Sequence, residues 1–184
     1  MKSNLLITFT ALSLLAFSGI NYAQAPALGT CSQFELFTST GAVSNTGLSH
    51  VTGNVGTNGG SSTGFGNVNG VMHDNDGASA LAAADLTLAY NQLNATVPTF
   101  FPAPLLGNGQ ILNAGVYYIS SPATLNLNLT LDGQNNPAAV FIIQIDGAFS
   151  TNALSRVILV NGALACNVFW MVEGLVSMGP GSSM

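Results

Sequence analysis

A loose internal repeat near the carboxyl end constrains the fold of this chain more than any other feature. The segment Ala139-Val-Phe-Ile-Ile-Gln-Ile-Asp-Gly147 is echoed by Asn167-Val-Phe-Trp-Met-Val-Glu-Gly174, and a short serine-containing segment follows each copy. A spacing of roughly 28 residues is what a three-strand coil of a triangular β-solenoid needs. One coil cannot bury its own core, so coils must stack on each other. The repeat therefore predicts a mainly β fold of stacked coils.

Most of the remaining chain also fits short strands. Thr30 to Val71 is rich in glycine, and because each glycine would cost a helix about 1 kcal/mol, short strands joined by tight turns are expected. Thr124 to Asp132 alternates strictly, which predicts a strand with its four leucines on one face and its polar residues on the other. Ala139 to Ile145 and Val157 to Val160 are continuous apolar runs, typical of strands buried on both faces.

One segment has helical periodicity instead. Apolar residues recur at helical spacing over residues 76–95, and Asp74 or Asp76 can cap the first turn. Pro98 and the prolines after it end the pattern, because proline cannot continue a helix. The sequence predicts a single helix at about 76–95, packed against a sheet.

Charge is nearly absent from the chain. Charged residues make up 5% of the sequence and hydrophobic residues 48%, whereas an ordinary domain is about a quarter charged. Beyond the first residues, the chain contains a single basic residue, Arg156, and seven acidic residues. No basic patch exists to neutralise phosphates or anionic lipid headgroups, so we expect neither nucleic acid nor a membrane surface as partner.

The residue types that metal sites and enzymes require are also sparse. His50 and His73 have no third ligand at metal spacing. The run Asp74-Asn-Asp76-Gly77 begins like a calcium loop but lacks the later ligands. With so few ionisable residues, general acid–base catalysis is not expected. We therefore expect no metal, no cofactor and no enzymatic activity.

The first residues have the pattern of a secretory signal. Lys2 precedes the apolar stretch from Leu5 to Ile20, and small residues follow before Pro26. We expect residues 1–23 to be removed and 24–184 to form a single secreted solenoid domain, extracellular or at the cell surface. A retained membrane anchor is the alternative.

The two cysteines lie near opposite ends of that domain. In an oxidising compartment Cys31 and Cys166 can form a disulfide that closes a long loop. Two buried free thiols are the alternative interpretation.

Six segments along the chain carry a family resemblance: Leu28-Gly-Thr30, Val51-Thr-Gly-Asn-Val-Gly56, Val71-Met-His-Asp74, Ala114-Gly-Val-Tyr117, Leu131-Asp-Gly-Gln-Asn-Asn-Pro-Ala-Ala-Val-Phe-Ile142 and Asn161-Gly-Ala-Leu-Ala-Cys-Asn-Val-Phe-Trp170. In sequence and in order, they closely resemble the microbial secreted ice-binding (antifreeze) protein family. The resemblance implies a right-handed, discontinuous β-solenoid of triangular section with one long helix packed alongside. It also implies further strands beyond the equivalent of Met184, so a solenoid incomplete at its carboxyl end is expected.

The function implied by this resemblance is adsorption to ice through a flat Thr- and Ser-rich solenoid face, which inhibits ice growth and recrystallisation. The family's ice face often carries Thr-Gly/Ala-x-Thr/Asn, which residues 46–49 match loosely and the later repeats match less well. An ice crystal surface is the expected partner of a monomeric chain. The candidate ice-binding residues are Thr46, Ser49, Thr151, Ser155, Ser177 and Ser183.

Two other functions remain open from the sequence. The first is an extracellular adhesin or polysaccharide-binding solenoid without ice activity, which would need a groove lined by aromatic side chains. Tyrosine and tryptophan are few in this chain. The second is a carbohydrate lyase on the same architecture, which would need clustered acids and a basic catalytic residue, whereas Arg156 stands alone.

Overall fold

Two stacks of short parallel strands, with one helix alongside, make up the fold. The computed structural model describes residues 23–184, so the expected signal sequence, apart from its last residue, lies outside the described residues. Every strand pair within these residues is parallel, as stacked coils require. The mainly β fold expected from the repeat is confirmed.

The glycine-rich amino-terminal region forms the first stack. Its strands are, in chain order, β1 (Phe34–Thr38), β2 (Val43–Ser44), β3 (Val51–Thr52), β4 (Asn54–Thr57), β5 (Ser62–Thr63), β6 (Val68–Asn69) and β7 (Met72–Asp74). They pair as β1-β4-β7, β2-β5 and β3-β6. Close approach of coils explains several glycines: a Cβ on Gly60 would overlap the carbonyl oxygen of Gly41, and a Cβ on Gly70 would overlap that of Gly53.

The helix α1 (Gly77–Ala95) begins and ends within one residue of the predicted range. Asp76 accepts a hydrogen bond from the backbone N–H of Ser79, and the Ser79 hydroxyl bonds back to the Asp76 N–H. This reciprocal capping box satisfies two amides at the start of the helix. At the other end, the Gln144 side chain donates to the carbonyl oxygens of Leu93 and Thr96. Within residues 23–184, no helix combines the length and the hydropathy that a membrane span requires.

The second stack holds the main core. Its strands are β8 (Leu105–Gly107), β9 (Gln110–Asn113), β10 (Gly115–Ile119), β11 (Ala123–Asn126), β12 (Asn128–Asp132), β13 (Phe141–Ile145), β14 (Phe149–Thr151), β15 (Arg156–Val160), β16 (Val168–Val172) and β17 (Val176–Ser177). They form three sheets, β8-β11-β14-β17, β9-β12-β15 and β10-β13-β16. The two copies of the sequence repeat lie on neighbouring coils, with equivalent residues paired: Phe141 pairs with Val168, and Phe149 with Val176.

The segment from Thr124 to Asp132 is two strands and not the single strand predicted. The chain turns a corner of the solenoid at Leu127, which has a φ of 55° and is 59% exposed. Leu125 and Leu129 on either side are fully buried. The sequence alternation of leucine and polar residues does not reveal this corner, because Leu127 stands at a position where the pattern expects a leucine.

The two continuous apolar runs behave differently. All of β13 is buried, as predicted. No residue of the run Val157–Val160 is fully buried: Val157 and Leu159 are half-buried against the core, and Ile158 points outward and is 36% exposed. Helix α1 contacts β13 and gives it a second apolar environment, whereas β15 lies on a sheet with no covering layer.

The predicted disulfide is absent from the structure, and both cysteines are free thiols. Cys31 is half-buried, and its Sγ donates to the carbonyl oxygen of Ala82 on α1. Burial raises the pKa of the Cys31 thiol. Cys166 is exposed in a short 3₁₀ turn, Ala165–Asn167, so the alternative of two buried thiols does not hold either.

Candidate functional site

The three sides of the second stack differ in what covers them. The sheet β10-β13-β16 faces α1, and residues such as Val116 and Ile142 are buried on that side. The sheets β8-β11-β14-β17 and β9-β12-β15 have outer sides open to solvent, where residues such as Leu105 and Ile111 are exposed. These two open sides are the solvent-facing sheets of the second stack, and we compare them as candidate sites.

One open side carries a row of hydroxyls in register. Thr124 on β11 pairs with Ser150 on β14, and Ser150 pairs with Ser177 on β17. The Thr124 Oγ1 and Ser150 Oγ lie 3.1 Å apart, within hydrogen-bonding distance. We call these three residues the hydroxyl row, and the outer side of β8-β11-β14-β17 the hydroxyl face. On β8 the row ends at Leu105, which pairs with Thr124.

The hydroxyl face is supported from beneath by the apolar core. Alternate residues of a strand point to opposite sides, so the neighbours of the row, Leu106, Leu125 and Phe149, point inward and are buried. The Phe149 ring stacks on Trp170 with centroids 4.9 Å apart. Close packing of this kind leaves little freedom to the strands that carry the row.

The strands of the hydroxyl face contain no charged residue. The other open side, which we call the third face, carries Asp132 on β12 and Arg156 on β15. Asp132 accepts hydrogen bonds from the Gln134 backbone and from the Asn161 side chain. The two open sides therefore share a backbone design and differ in charge.

Two further carboxylates, Glu173 after β16 and Asp85 on α1, form hydrogen bonds away from the two open sides. Tyr90 donates to Glu173, and this hydrogen bond raises the pKa of the Tyr90 phenol. Asp85 accepts two hydrogen bonds from Thr30, at 2.7 Å each, and they lower the pKa of the carboxyl group. That pair fastens the amino-terminal segment to α1.

Four of the six predicted site residues are exposed. Ser177 belongs to the hydroxyl row. Ser183 forms an isolated parallel β-bridge, through its backbone, with Arg156 at the edge of the third face. Thr46 and Ser49 lie between β2 and β3 of the first stack, where the Ser49 hydroxyl donates to Asn45.

The other two, Thr151 and Ser155, lie inside the solenoid. Thr151 is 6% exposed and accepts a hydrogen bond from the Gly179 N–H, while Ser155 is fully buried and donates to the Leu125 carbonyl. For Thr151 the reason is the alternation of side chains along β14: because Ser150 points outward, Thr151 points inward. These two side chains cannot form part of an exposed face.

Thr124 and Ser150 are the members of the hydroxyl row that the sequence interpretation missed. The signal was available in the repeat, because the offset of 27 residues that pairs Phe141 with Val168 also places Ser150 opposite Ser177. Combining that alignment with the period-two pattern of β11 would have placed Thr124 beside them.

Residues 23–184 contain no group of His, Cys, Asp and Glu side chains able to hold a metal ion. An apolar cavity of about 390 Å³ lies at the open end of the second stack, against Trp170 and Val168. Trp170 and Tyr117 stack on Phe149 and Phe100 respectively, so their rings are engaged within the protein.

These features define a parallel β-solenoid with a flat, uncharged, hydroxyl-bearing side. The profile of the Ice-binding-like family matches residues 37–184, most of the chain. The chain belongs to this family, and the resemblance noted in the sequence is confirmed.

Individual relatives agree with this assignment. An ice-binding protein of Nostoc sp. (strain HG1) is 36% identical over 178 residues, covering 93% of this chain and 65% of the relative. The crystal structure of an ice-binding protein from an Antarctic Flavobacteriaceae bacterium is 59% identical with a TM-score of 0.85, covering 86% of this chain and 38% of that one. An ice-binding protein from the ascomycete Antarctomyces psychrotrophicus is 36% identical with a TM-score of 0.82, covering 86% of this chain and 79% of that one.

The chain thus spans less than two thirds of the length of the Nostoc and Flavobacteriaceae proteins. The three relatives are named as ice-binding proteins, and none of these names refers to adhesion or polysaccharide binding.

Proposed function

We propose that this chain binds ice through the hydroxyl face. The observation that carries the proposal is the hydroxyl row: three hydroxyl residues, in register on stacked strands, on a side of the solenoid without charge. Its family membership, and relatives that bear the name of ice-binding proteins, support the same function. Adsorption to a crystal surface would inhibit ice growth and recrystallisation.

The spacing of the strands suits a crystalline ligand. Neighbouring strands of a sheet lie about 4.7–4.9 Å apart, close to a repeat in the ice lattice. A hydroxyl both donates and accepts hydrogen bonds, so each member of the row can hold a water molecule at that interval. The Thr124 methyl restricts the waters beside it. The row then orders water in a pattern that an ice crystal can continue.

The absence of charge on this face is part of the proposed mechanism. A Lys or Glu side chain is mobile and strongly hydrated, and it orders water around itself in a geometry unrelated to ice. The third face, with Asp132 and Arg156, is the less suitable of the two open sides for this reason.

The proposal extends to where and how the chain acts. The signal-like first residues support action outside the cell, and the seven acids against a single basic residue beyond them disfavour nucleic acid and anionic membranes as partners. The scarcity of ionisable side chains supports a binding protein without enzymatic activity. A monomer suffices, because the hydroxyl row lies within one chain.

The test is ice recrystallisation inhibition by the purified chain, together with two lysine variants. Ser150→Lys puts a charge in the centre of the hydroxyl row, and Ile158→Lys puts the same charge at an outward position of the third face. We expect the parent chain to inhibit recrystallisation at micromolar concentration, Ser150→Lys to lose most of this inhibition, and Ile158→Lys to keep it.

Two results would contradict the proposal. A folded parent chain that leaves recrystallisation unchanged has no ice-binding function. Equal loss of inhibition in both lysine variants, with unchanged thermal unfolding, would mean that the hydroxyl face is not the contact surface.

A further inference from the structure

A row of asparagines runs beside the hydroxyl row. Asn126 follows Thr124 by two residues on β11, so both side chains lie on the outer side of the strand. The Asn126 Nδ2 donates to Asn108 Oδ1 at 2.8 Å, and the Asn152 Nδ2 donates to Asn126 Oδ1 at 2.9 Å. Asn108, Asn126 and Asn152 belong to three successive coils, and we call them the amide ladder.

The amide ladder has a fixed direction. Each amide donates to the one in the preceding coil, from Asn152 to Asn126 and from Asn126 to Asn108. An amide NH₂ carries two protons, so each donor keeps one for a ligand outside the ladder. Hydrogen bonds in such a chain polarise one another. The side chains are therefore held in one orientation before any ligand binds.

The position of the ladder follows from the corner of the solenoid. Asn108 has a φ of 54°, a left-handed conformation that asparagine tolerates better than most residues. Its backbone N–H donates to the Asn126 carbonyl, and the Asn152 N–H donates to the Leu125 carbonyl. Backbone and side-chain hydrogen bonds thus fix each ladder residue relative to its neighbour in the next coil.

We propose that the amide ladder is the second row of the ice-contact surface and determines which planes of the ice crystal are bound; this inference rests on the proposed function. The hydroxyl row alone presents a single line of groups. The ladder adds a second line about 6.6–6.8 Å away, which is two residues along a strand. Two parallel rows form a two-dimensional array, and an array matches fewer crystal planes than a line does.

Prior ordering of the amides supports this role. A side chain that is immobilised on binding loses rotamer freedom, which lowers affinity. The ladder bonds have already restricted Asn126, and the hydrogen bond between Thr124 and Ser150 has restricted part of the hydroxyl row. Waters of the ice lattice would meet donors and acceptors that need little rearrangement.

The experiment compares Asn126→Ala and Asn126→Asp with Asn113→Asp on the third face. Asn126→Ala removes both ladder bonds without adding charge, and Asn126→Asp leaves no proton to donate to Asn108 at neutral pH. Asn113 is an exposed residue beside Asp132 on the third face. Thermal hysteresis, the crystal planes bound on a single ice crystal, and thermal unfolding are measured for each variant and for the parent.

We expect both Asn126 variants to lose hysteresis by roughly twofold or more and to change the set of bound planes, while Asn113→Asp matches the parent. A purely structural ladder would lower the unfolding temperature but leave the planes bound by folded protein unchanged, and that result would overturn the inference alone. A parent chain without hysteresis would overturn the proposed function and the inference with it.

Discussion

The hydroxyl face and the third face are built by the same coils, yet they present different surfaces. Both have parallel strands in register, alternating side chains and an apolar core beneath. The central row of the first is Thr124, Ser150 and Ser177, without charge. The central row of the third face is Ile111, Thr130 and Ile158.

Under the proposed function, a regular solenoid side is not sufficient for ice contact. Two charges border the central row of the third face: Arg156 lies two residues before Ile158 on β15, and Asp132 lies two residues after Thr130 on β12. The backbone spacing is the same on both sides, so spacing cannot distinguish them. The proposal therefore assigns the choice of ice-contact face to the outward side chains at positions of equal register.

The largest effect is expected from adjacent positions on β14. Thr151→Tyr forces a large ring into the core and removes the acceptor of the Gly179 N–H, so we expect a loss of about 3 kcal/mol in the free energy of unfolding. Ser150→Tyr is directed outward and should change that free energy by no more than about 0.5 kcal/mol, while it abolishes most of the thermal hysteresis. Urea unfolding and hysteresis measured on both variants check the assignment.

If Thr151→Tyr unfolded like the parent and lost hysteresis, the inward orientation of Thr151 would be wrong. The face assignment would then have to be reversed along this strand.

A smaller effect, and a gain, is expected at the end of the hydroxyl row. Leu105 is 56% exposed and pairs with Thr124, so Leu105→Thr extends the row by one hydroxyl. We expect a modest increase in thermal hysteresis with little change in stability. Ile111→Thr, the matched change on the third face, should leave hysteresis unchanged. An equal increase in both variants would remove the distinction between the faces.

The smallest effect is expected from pH. The strands of the hydroxyl face carry no titratable side chain, so recrystallisation inhibition should be constant between about pH 5 and pH 9. An inhibition curve that titrates within this interval would mean that a charged group takes part in ice contact.

Stability, in contrast, should fall in acid. Hydrogen bonds from Thr30 lower the pKa of Asp85 in the folded state below its ordinary 3.8, and bonds from Ser79 and His73 do the same for Asp76. The unfolded chain therefore takes up these protons first, so the stabilisation is complete above about pH 4 and is lost as the pH falls through the lowered values. Asp85→Asn should reduce this acid dependence in thermal unfolding.

Stability should also fall in strong alkali. Burial raises the pKa of Tyr117 from 10.0 to about 12, so the unfolded chain loses this proton first. The resulting destabilisation begins near pH 10 and increases up to about pH 12.

Much of the fold was predictable from sequence because the relevant signals are periodic. The repeat of β13 in β16 and the helical spacing before Pro98 correspond directly to observed elements. The corner at Leu127 was not predictable from alternation, since a corner residue takes one place in the pattern without disturbing it. Helix α1 contacts β13, and this tertiary contact, which the sequence pattern does not reveal, helps to bury β13 throughout, whereas β15 is only half-buried or exposed.

The candidate site was less predictable for a related reason. Whether a hydroxyl points outward or inward depends on strand phase, and a shift of one residue reverses it. That shift separates Ser150 from Thr151. Ser155 resembles a surface serine in sequence but is buried with its hydroxyl bonded to the Leu125 carbonyl.

Direct adsorption to a single ice crystal tests the central claim most directly. The exposed thiol of Cys166 accepts a fluorescent label, whereas Cys31 is half-buried against α1. The labelled parent and Ile111→Tyr are predicted to bind the crystal, and Thr124→Tyr, folded to the same extent, is predicted to leave it dark. Binding by Thr124→Tyr equal to that of the parent would contradict the claim that the hydroxyl face is the ice-contact surface.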